Sequence, residues 1–357
     1  MKLLIQPQDG VAPLVAAIKK ARKSVDIVIF RFDRAELEAA LKAAVDRGVS
    51  VSALITYANQ GGERSLRKLE MRLLDAGVTV TRTDDNLVRY HNKVLIIDRN
   101  LLLVLSCNFT HLDLDHSRGF GIVTRKKKLV QEALKLLAAD NDRVPYHAGL
   151  DSFVVSPANA RKQLVGLIQR AKKELLIYDP KIADVGMLRA LTERVKHGVD
   201  VRIIGTVGRG SHNLNARPLS GLRLHARVIV RDRREGFVGS QSLRKAELDS
   251  RREVGVIVRD AKVVKGLAMT FEADWGAKAE AGAPGPTPGA LKRKLKRMVK
   301  KLSPLDPKVM EAVDDVVSKE GNTSLSAKDV KVTVAKAVKE AVRERVAEMM
   351  NETEEPA

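Results

Sequence analysis

Two histidines stand in near-identical settings. The segment RYHNKVLIID (89–98) puts Lys93 two residues after His91 and Asp98 seven after it. The segment LHARVIVRD (224–232) puts Arg227 and Asp232 at the same intervals from His225. Imidazole titrates near neutrality, so one ring can attack an electrophile while another donates a proton. A cation held beside such a ring suits the oxygens of a phosphoryl group. The intervals continue: Ser106 and Asn108 follow His91 by fifteen and seventeen residues, and Ser240 and Ser242 follow His225 by the same distances. Glu253 follows His225 at the interval at which Gly119 follows His91. A lone His-x-Lys is most often surface decoration, but its duplication with the Ser-x-Asn element argues for a phosphate site.

Residues two apart on a strand share a face. That groups His91 with Lys93, His225 with Arg227, and Ser106 with Asn108. Asp98 is an odd number of steps from His91 and points away on a regular strand, which makes it, like Asp232, a structural anchor. Val94–Ile97 and Val228–Val230 are apolar at successive positions, as a buried central strand requires. Each imidazole therefore sits at a strand end, where a site can open.

The elements that must position these groups are themselves duplicated. LVAAIKKARKSVDIVIF (14–30) aligns with LVGLIQRAKKELLIYDP (164–180), and RGVSVSALI (47–55) with HGVDVRIIG (197–205). Both pairs keep one common offset, and the two histidines are closer together than that offset, so the second copy is shorter in between. In the first copy the pattern predicts a helix near 14–20, a strand at 25–30 and a helix over 35–48 ending at Gly48. A strand at 49–56, a helix over 64–76 and a closing helix near 127–139 follow. Strands alternating with helices indicate an α/β class, two α/β/α sandwich halves related by a pseudo-twofold. The boundaries read as 1–143 for the first repeat, 150–276 for the second, an Ala/Gly/Pro-rich linker at 277–290 and a helical basic extension at 291–357.

The chain has 357 residues and is 44% hydrophobic, enough for sizeable cores, and no apolar run reaches the roughly 18 residues of a membrane span. The N-terminus MKLLIQPQDG has no signal-peptide core, and the single Cys107 fits a reducing compartment, so a cytoplasmic protein is expected. The net charge is +20; residues 277–357 hold 16 basic and 13 acidic side chains, so +17 falls on residues 1–276. Anionic partners follow: phospholipid, nucleic acid or phosphorylated metabolites.

HNKVLIID with SCN, then HARVIVRD with GSQS and Glu253, resembles the phospholipase D superfamily. The resemblance covers about residues 1–276 and leaves the extension outside. It implies that two copies face each other around one site, which needs no metal or other cofactor and no oligomer. By this resemblance His91 is the nucleophile, forming a phosphohistidine, and His225 the general acid, with the reverse assignment open. Lys93 and Arg227, with Asn108 and Ser242, would hold the phosphoryl oxygens, and Glu253 would orient His225. Water or an alcohol would then take the phosphoryl group. Four positions depart from the family pattern: Arg227 for Lys, Ser242 for Asn, Gly119 for the first carboxylate (with Asp113 or Asp115 as substitutes), and Leu105 for Gly.

A phospholipid head-group phosphodiester is the favoured substrate. A nuclease on the same fold is the rival, opposed by an aromatic content of only 3%. A non-catalytic module binding phosphate or an anionic membrane is a third reading. The amphipathic stretch LKRKLKRMVKKL (291–302) would lie on an anionic membrane as a peripheral contact, grip nucleic acid, or pack on the body. His111 and His116 with His91 fit no common zinc spacing. Cys107 reads as a buried small residue, and the loop 208–218 offers Arg209, His212 and Arg217 as a rim or as plain solvated residues.

Overall fold

The protein is described by a computed structural model covering residues 1–57, 63–208 and 213–277, with backbone alone at 63–65. The linker expected at 277–290, apart from Ala277, and the extension 291–357 lie outside the described residues, as do Arg209 and His212. All described residues belong to one compact unit.

The first copy forms a sheet in which Lys2–Gln6, Ser117–Thr124, Leu101–Leu105, Val94–Ile97, Ser24–Ile29, Ser50–Ile55 and Thr79–Arg82 lie side by side in that order. The second copy repeats it in reverse listing: Asn215–Arg217, Asp200–Val207, Glu174–Ile182, Val228–Arg231, Glu235–Gly239, Val254–Val258 and Phe153–Val155. Matching strands thus occupy matching places, which is what ancestral duplication predicts. In both copies the strand following a histidine pairs antiparallel with the strand that follows the repeat's first helix, Val94–Ile97 on Ser24–Ile29 and Val228–Arg231 on Glu174–Ile182.

The helices form because each carries an apolar stripe at helical spacing. Ala35–Asp46 buries Leu37, Ala40, Leu41 and Ala44. It stops where Gly48 adopts φ +79°, with the Gly48 N–H on the Val45 carbonyl and the Val49 N–H on the Ala44 carbonyl, a left-handed cap that glycine adopts without a Cβ penalty. Gly198, its counterpart in the second copy, has φ +76° at the end of helix Val185–Lys196.

Three apolar cores result. One lies on the outer face of the first sheet against helices Ala12–Lys19, Ala35–Asp46 and Glu63–Asp75, through Leu14, Ile18, Leu41, Leu69 and Leu73. Its counterpart in the second copy gathers Leu164, Ile168, Met187 and Leu191. The third is shared. Val28, Val94, Ile96 and Val104 of the first sheet meet Tyr178, Val228, Val230 and Val238 of the second. Two further helices, Lys127–Asp142 and Ala261–Gly276, contribute Leu136, Leu137, Leu267 and Phe271 to it. Burial of apolar area at about 25 cal/mol per Å² makes this shared core the main cement between the halves. Among the described residues no helix is long and apolar enough to cross a membrane.

Candidate active site

The histidines do not lie on regular strands. Arg89–Tyr90 and Val94–Ile97 are separate strands, and His91–Lys93 is the irregular link between them; His225–Arg227 links Arg223–Leu224 to Val228–Arg231 in the same way. The reason is a change of partner. Arg89–Tyr90 pairs with Arg251–Arg252 of the second copy, and Arg223–Leu224 pairs with Ser117–Arg118 of the first. The chain crosses to the opposite half, then returns to its own sheet, and the histidine sits at the crossing. The His91 N–H donates to the Arg252 carbonyl at 2.8 Å, and the His225 N–H to the Arg118 carbonyl at 3.0 Å. Both arginines are buried and pinned by carboxylates. Arg118 makes a two-bond pair with Asp274 at 2.7 and 2.9 Å, and Arg252 donates to Asp140 at 3.0 Å.

The side chains cross as the backbones do. His91 Nδ1 lies 3.0 and 3.1 Å from the two oxygens of Glu253. His225 Nδ1 lies 2.5 Å from Asp113 Oδ1. The expected Glu253–His225 contact is therefore replaced: Glu253 reaches His91, and Asp113, from the first copy, reaches His225. Asp115 instead accepts from Arg34 and faces His111. Asp113 is positioned by the short helix His111–Asp115, whose first turn is capped by Thr110. Its second oxygen accepts the Asn108 N–H at 2.8 Å. Glu247, which stands to Asp113 as His225 stands to His91, holds the Ser242 N–H at 2.7 Å. At position 119, a Cβ on the glycine would come within 3.0 Å of Cys107 Sγ. The buried thiol occupies the room that a carboxylate there would need.

Electrostatics differ between the halves. Burial pulls His225 down to about 4, helped by Arg227 and opposed by Asp113. Asp113 is held well below the usual carboxylate range: burial works against ionisation, but His225, Arg223 and the Asn108 amide outweigh it. Burial raises Glu253, which has no exposed surface. Both side chains keep a sliver of surface, 5% for His91 and 6% for His225.

Lys93 is buried, with Nζ 2.5 Å from the His91 carbonyl and 5.4 Å from the Phe30 ring centre. The Phe30 ring in turn meets His91 edge-on at 4.5 Å. Arg227 is also buried; its Nη1 reaches the His225 carbonyl only at 3.4 Å, and its Nε has no partner. A buried guanidinium with unmet donors is a place for an anion. The side-chain amide oxygen of Asn108, Oδ1, is likewise unpartnered.

The remaining residues of the motif tie backbone together. Ser106 Oγ accepts the Phe120 N–H at 2.9 Å and lies 3.4 Å from the His225 carbonyl. Ser240 Oγ accepts the Val254 N–H at 3.1 Å. The Ser242 hydroxyl donates to Asp179, whose buried carboxyl is pushed up to about 6. Asp98 accepts the amides of Arg22, Lys23 and Ser24 at 2.6–3.1 Å, and Asp232 those of Lys172, Lys173 and Glu174 at 2.7–3.1 Å. Arg217 is drawn away to stack 3.4 Å over Trp275. Among the described residues no cluster of three or more metal-binding side chains occurs.

Sequence reasoning missed Arg118, Arg252, Arg223 and Phe30. The signal for the arginines was present: Arg118 and Arg252, like Arg89 and Arg223, are separated by the same interval as the two histidines.

Comparison with known proteins agrees with this duplication. The family model described as "Cardiolipin synthase, PLD-like domain" matches residues 14–140 and again 164–275. No curated protein matches the sequence. Among solved structures, polyphosphate kinase from Porphyromonas gingivalis superposes with a TM-score of 0.65 at 19% identity over 77% of this chain. The chain spans half the length of that kinase. Phosphatidylserine synthase from Haemophilus influenzae Rd KW20 superposes with a TM-score of 0.59 at 11% identity, over 84% of this chain and 92% of its own. At these identities the likenesses speak for the fold. With both repeats matched, the chain belongs to the phospholipase D-like family of the cardiolipin synthase type.

Proposed function

We propose that the protein is a phosphodiesterase or phosphatidyltransferase of the phospholipase D type, acting on phospholipid head-group phosphodiesters through a phosphohistidine. The observation that carries this reading is the exchange of supports: each imidazole has its Nδ1 held by a carboxylate of the opposite half. One ring attacks phosphorus and the other protonates the leaving oxygen. Arg227 and Lys93, which reach the His225 and His91 carbonyls, would with Asn108 hold the equatorial oxygens, the charge-stabilising task of phosphoryl transfer. Water or an alcohol then displaces the phosphoryl group, with the second ring acting as base.

The test is head-group release from phosphatidylcholine, phosphatidylglycerol and cardiolipin vesicles in EDTA, with His91→Ala as control. Absence of release, or equal release by the variant, refutes the reading. The +17 charge of residues 1–276 favours nucleic acid as the second substrate class, because phosphate contacts supply most non-specific affinity. Degradation of DNA or RNA, with intact lipid, would establish that alternative. Binding of either without an acid-labile phosphoenzyme would mark a non-catalytic module.

A further inference from the structure

The interval between the two histidines also relates Arg118 to Arg252 and Asp140 to Asp274. The aspartates sit on matching helices, Lys127–Asp142 and Ala261–Gly276. The arginines are placed alike: Arg118 Nη1 donates to the Gln6 carbonyl at 2.7 Å, and Arg252 Nη1 to the Ser156 carbonyl at 3.1 Å. The aspartates are not. Asp274 accepts two bonds from Arg118 and a third, at 2.6 Å, from the Tyr178 hydroxyl. Among the described residues Asp140 accepts one, from Arg252. Val28 stands where the second half has Tyr178: it lies opposite Val94 as Tyr178 lies opposite Val228.

The smaller side chain leaves space. A small cavity beside Asp140 is lined by Val28, Asn92, Ala133, Leu137 and Phe153, all buried. Val28, Ala133 and Leu137 correspond to the bulkier Tyr178, Leu267 and Phe271, and the Tyr178 and Phe271 rings are 5.1 Å apart. Asn92 runs the other way, a polar residue where the second half has Ala226. It is 2% exposed, and its Oδ1 has no partner. The space suits about one water molecule, and two polar groups face it.

We propose that Asp140 is a positioning residue for His91, and that the cavity takes one water that donates to Asp140 and to Asn92 Oδ1 in place of the Tyr178 hydroxyl. The positioning role rests on the two-imidazole reading above. A buried carboxylate with one bond calls for a second donor, and burial pushes this one up to about 6 against the pull of Arg252. Tyr90 and Tyr146 flank the Arg252 guanidinium at 5.8 and 5.9 Å, but their hydroxyls bond Asn86 and Glu132. Asp140 acts on His91 by two routes through Arg252. The Arg252 carbonyl accepts the His91 N–H, and the next residue, Glu253, holds the ring at Nδ1.

Imidazole nitrogen NMR on the full chain tests the positioning without need of turnover. Asp140→Asn should displace the His91 signals and leave those of His225, and Asp274→Asn should do the reverse. Equal movement of both rings, or of neither, overturns the inference. With head-group release as readout, Asp140→Asn should lower kcat by about 10–100-fold with KM unchanged. A kcat within twofold of wild type also overturns it. Absence of release by the wild type itself, with the crossed NMR pattern present, refutes the phosphodiesterase reading and not the placement of His91. Asn92→Ala should give a smaller loss that Val28→Tyr restores, because the phenol supplies the donor. A carbon-13 titration of Asp140 checks the water independently: the midpoint should rise in Asn92→Ala. An unmoved midpoint, or a crystal structure with no water between Asn92 and Asp140, strikes the water.

Discussion

Asp98→Ala separates the anchoring role of the motif aspartate from a chemical one. The Asp98 carboxylate accepts the amides of Arg22, Lys23 and Ser24, clamping the turn that leads into strand Ser24–Ile29. Charge-assisted bonds of this kind contribute about 1.5–3 kcal/mol each when buried. Asp98 is half-buried and water reaches two of the amides, so about 1 kcal/mol apiece is the appropriate scale. Asp98 and Arg99 also occupy φ +51° and +53°, and the Asn100 N–H bonds the Ile97 carbonyl at 3.0 Å. These mark a tight hairpin of the type that tolerates Asp better than Ala, worth roughly another 0.5–1 kcal/mol. The total is about 3–4 kcal/mol, which at about 2–4 °C per kcal/mol lowers the melting temperature by roughly 6–16 °C. Asp98→Asn, which keeps an acceptor without the charge, should fall about half as far. Asp232 repeats the clamp with three amides of its own and shares no partner with Asp98, so the double variant should sum. The assay is thermal unfolding by circular dichroism beside turnover measured well below the transition. Turnover per folded molecule should stay within about threefold of wild type, the scatter expected for a site left intact. A variant that melts like wild type yet loses more than tenfold in turnover would refute the anchor and move Asp98 into the chemistry.

Asp113→Asn and Glu253→Gln should each lower turnover by on the order of 10²–10⁴, the scale for mis-set imidazole tautomers, with substrate affinity little changed; a fall in affinity alone would contradict the positioning role. Stability should decline on acidification between about pH 6.5 and 4: the unfolded His225 takes up a proton there while the folded ring, depressed to about 4, does not. The loss, about 3 kcal/mol at most, should shrink in His225→Gln, and an unchanged pH slope in that variant would show the titration lies elsewhere. Asp274→Ala strips the buried Arg118 of its two-bond partner. It should cost about 3–5 kcal/mol and, through the Arg118 carbonyl on the His225 N–H, reduce turnover as well; denaturant midpoints read the first and kinetics on the folded fraction the second.

The sheets, their repeat and the motif intervals were legible because they are written in local spacing. Apolar runs and helix stripes locate Val94–Ile97, Ser24–Ile29 and Ala35–Asp46 to within a residue or two. What spacing misjudged was the setting of the histidines. Strand alternation assumes one continuous partner, and the chain around His91 and His225 changes partner at that point. For the same reason Glu253 could not be assigned to its ring: an interval along one copy is silent about which copy the side chain faces. Asp113 had a better signal than position 119. It follows His91 at the interval at which Glu247 follows His225, and both hold the amide of the residue that ends the Ser-x-Asn or Ser-x-Ser element.

That shared duty explains how one carboxylate was lost without losing the site. In the second copy the labour is divided: Glu247 steadies the backbone and Glu253 holds a ring. In the first copy Asp113 does both, one oxygen on the Asn108 amide and the other on His225. Position 119 is thereby released from its carboxylate, and the space has closed around Cys107. A carboxylate with two duties needs help to remain ionised in a buried setting, and Arg223 provides it. The symmetry of the ancestral pair is thus broken at one residue.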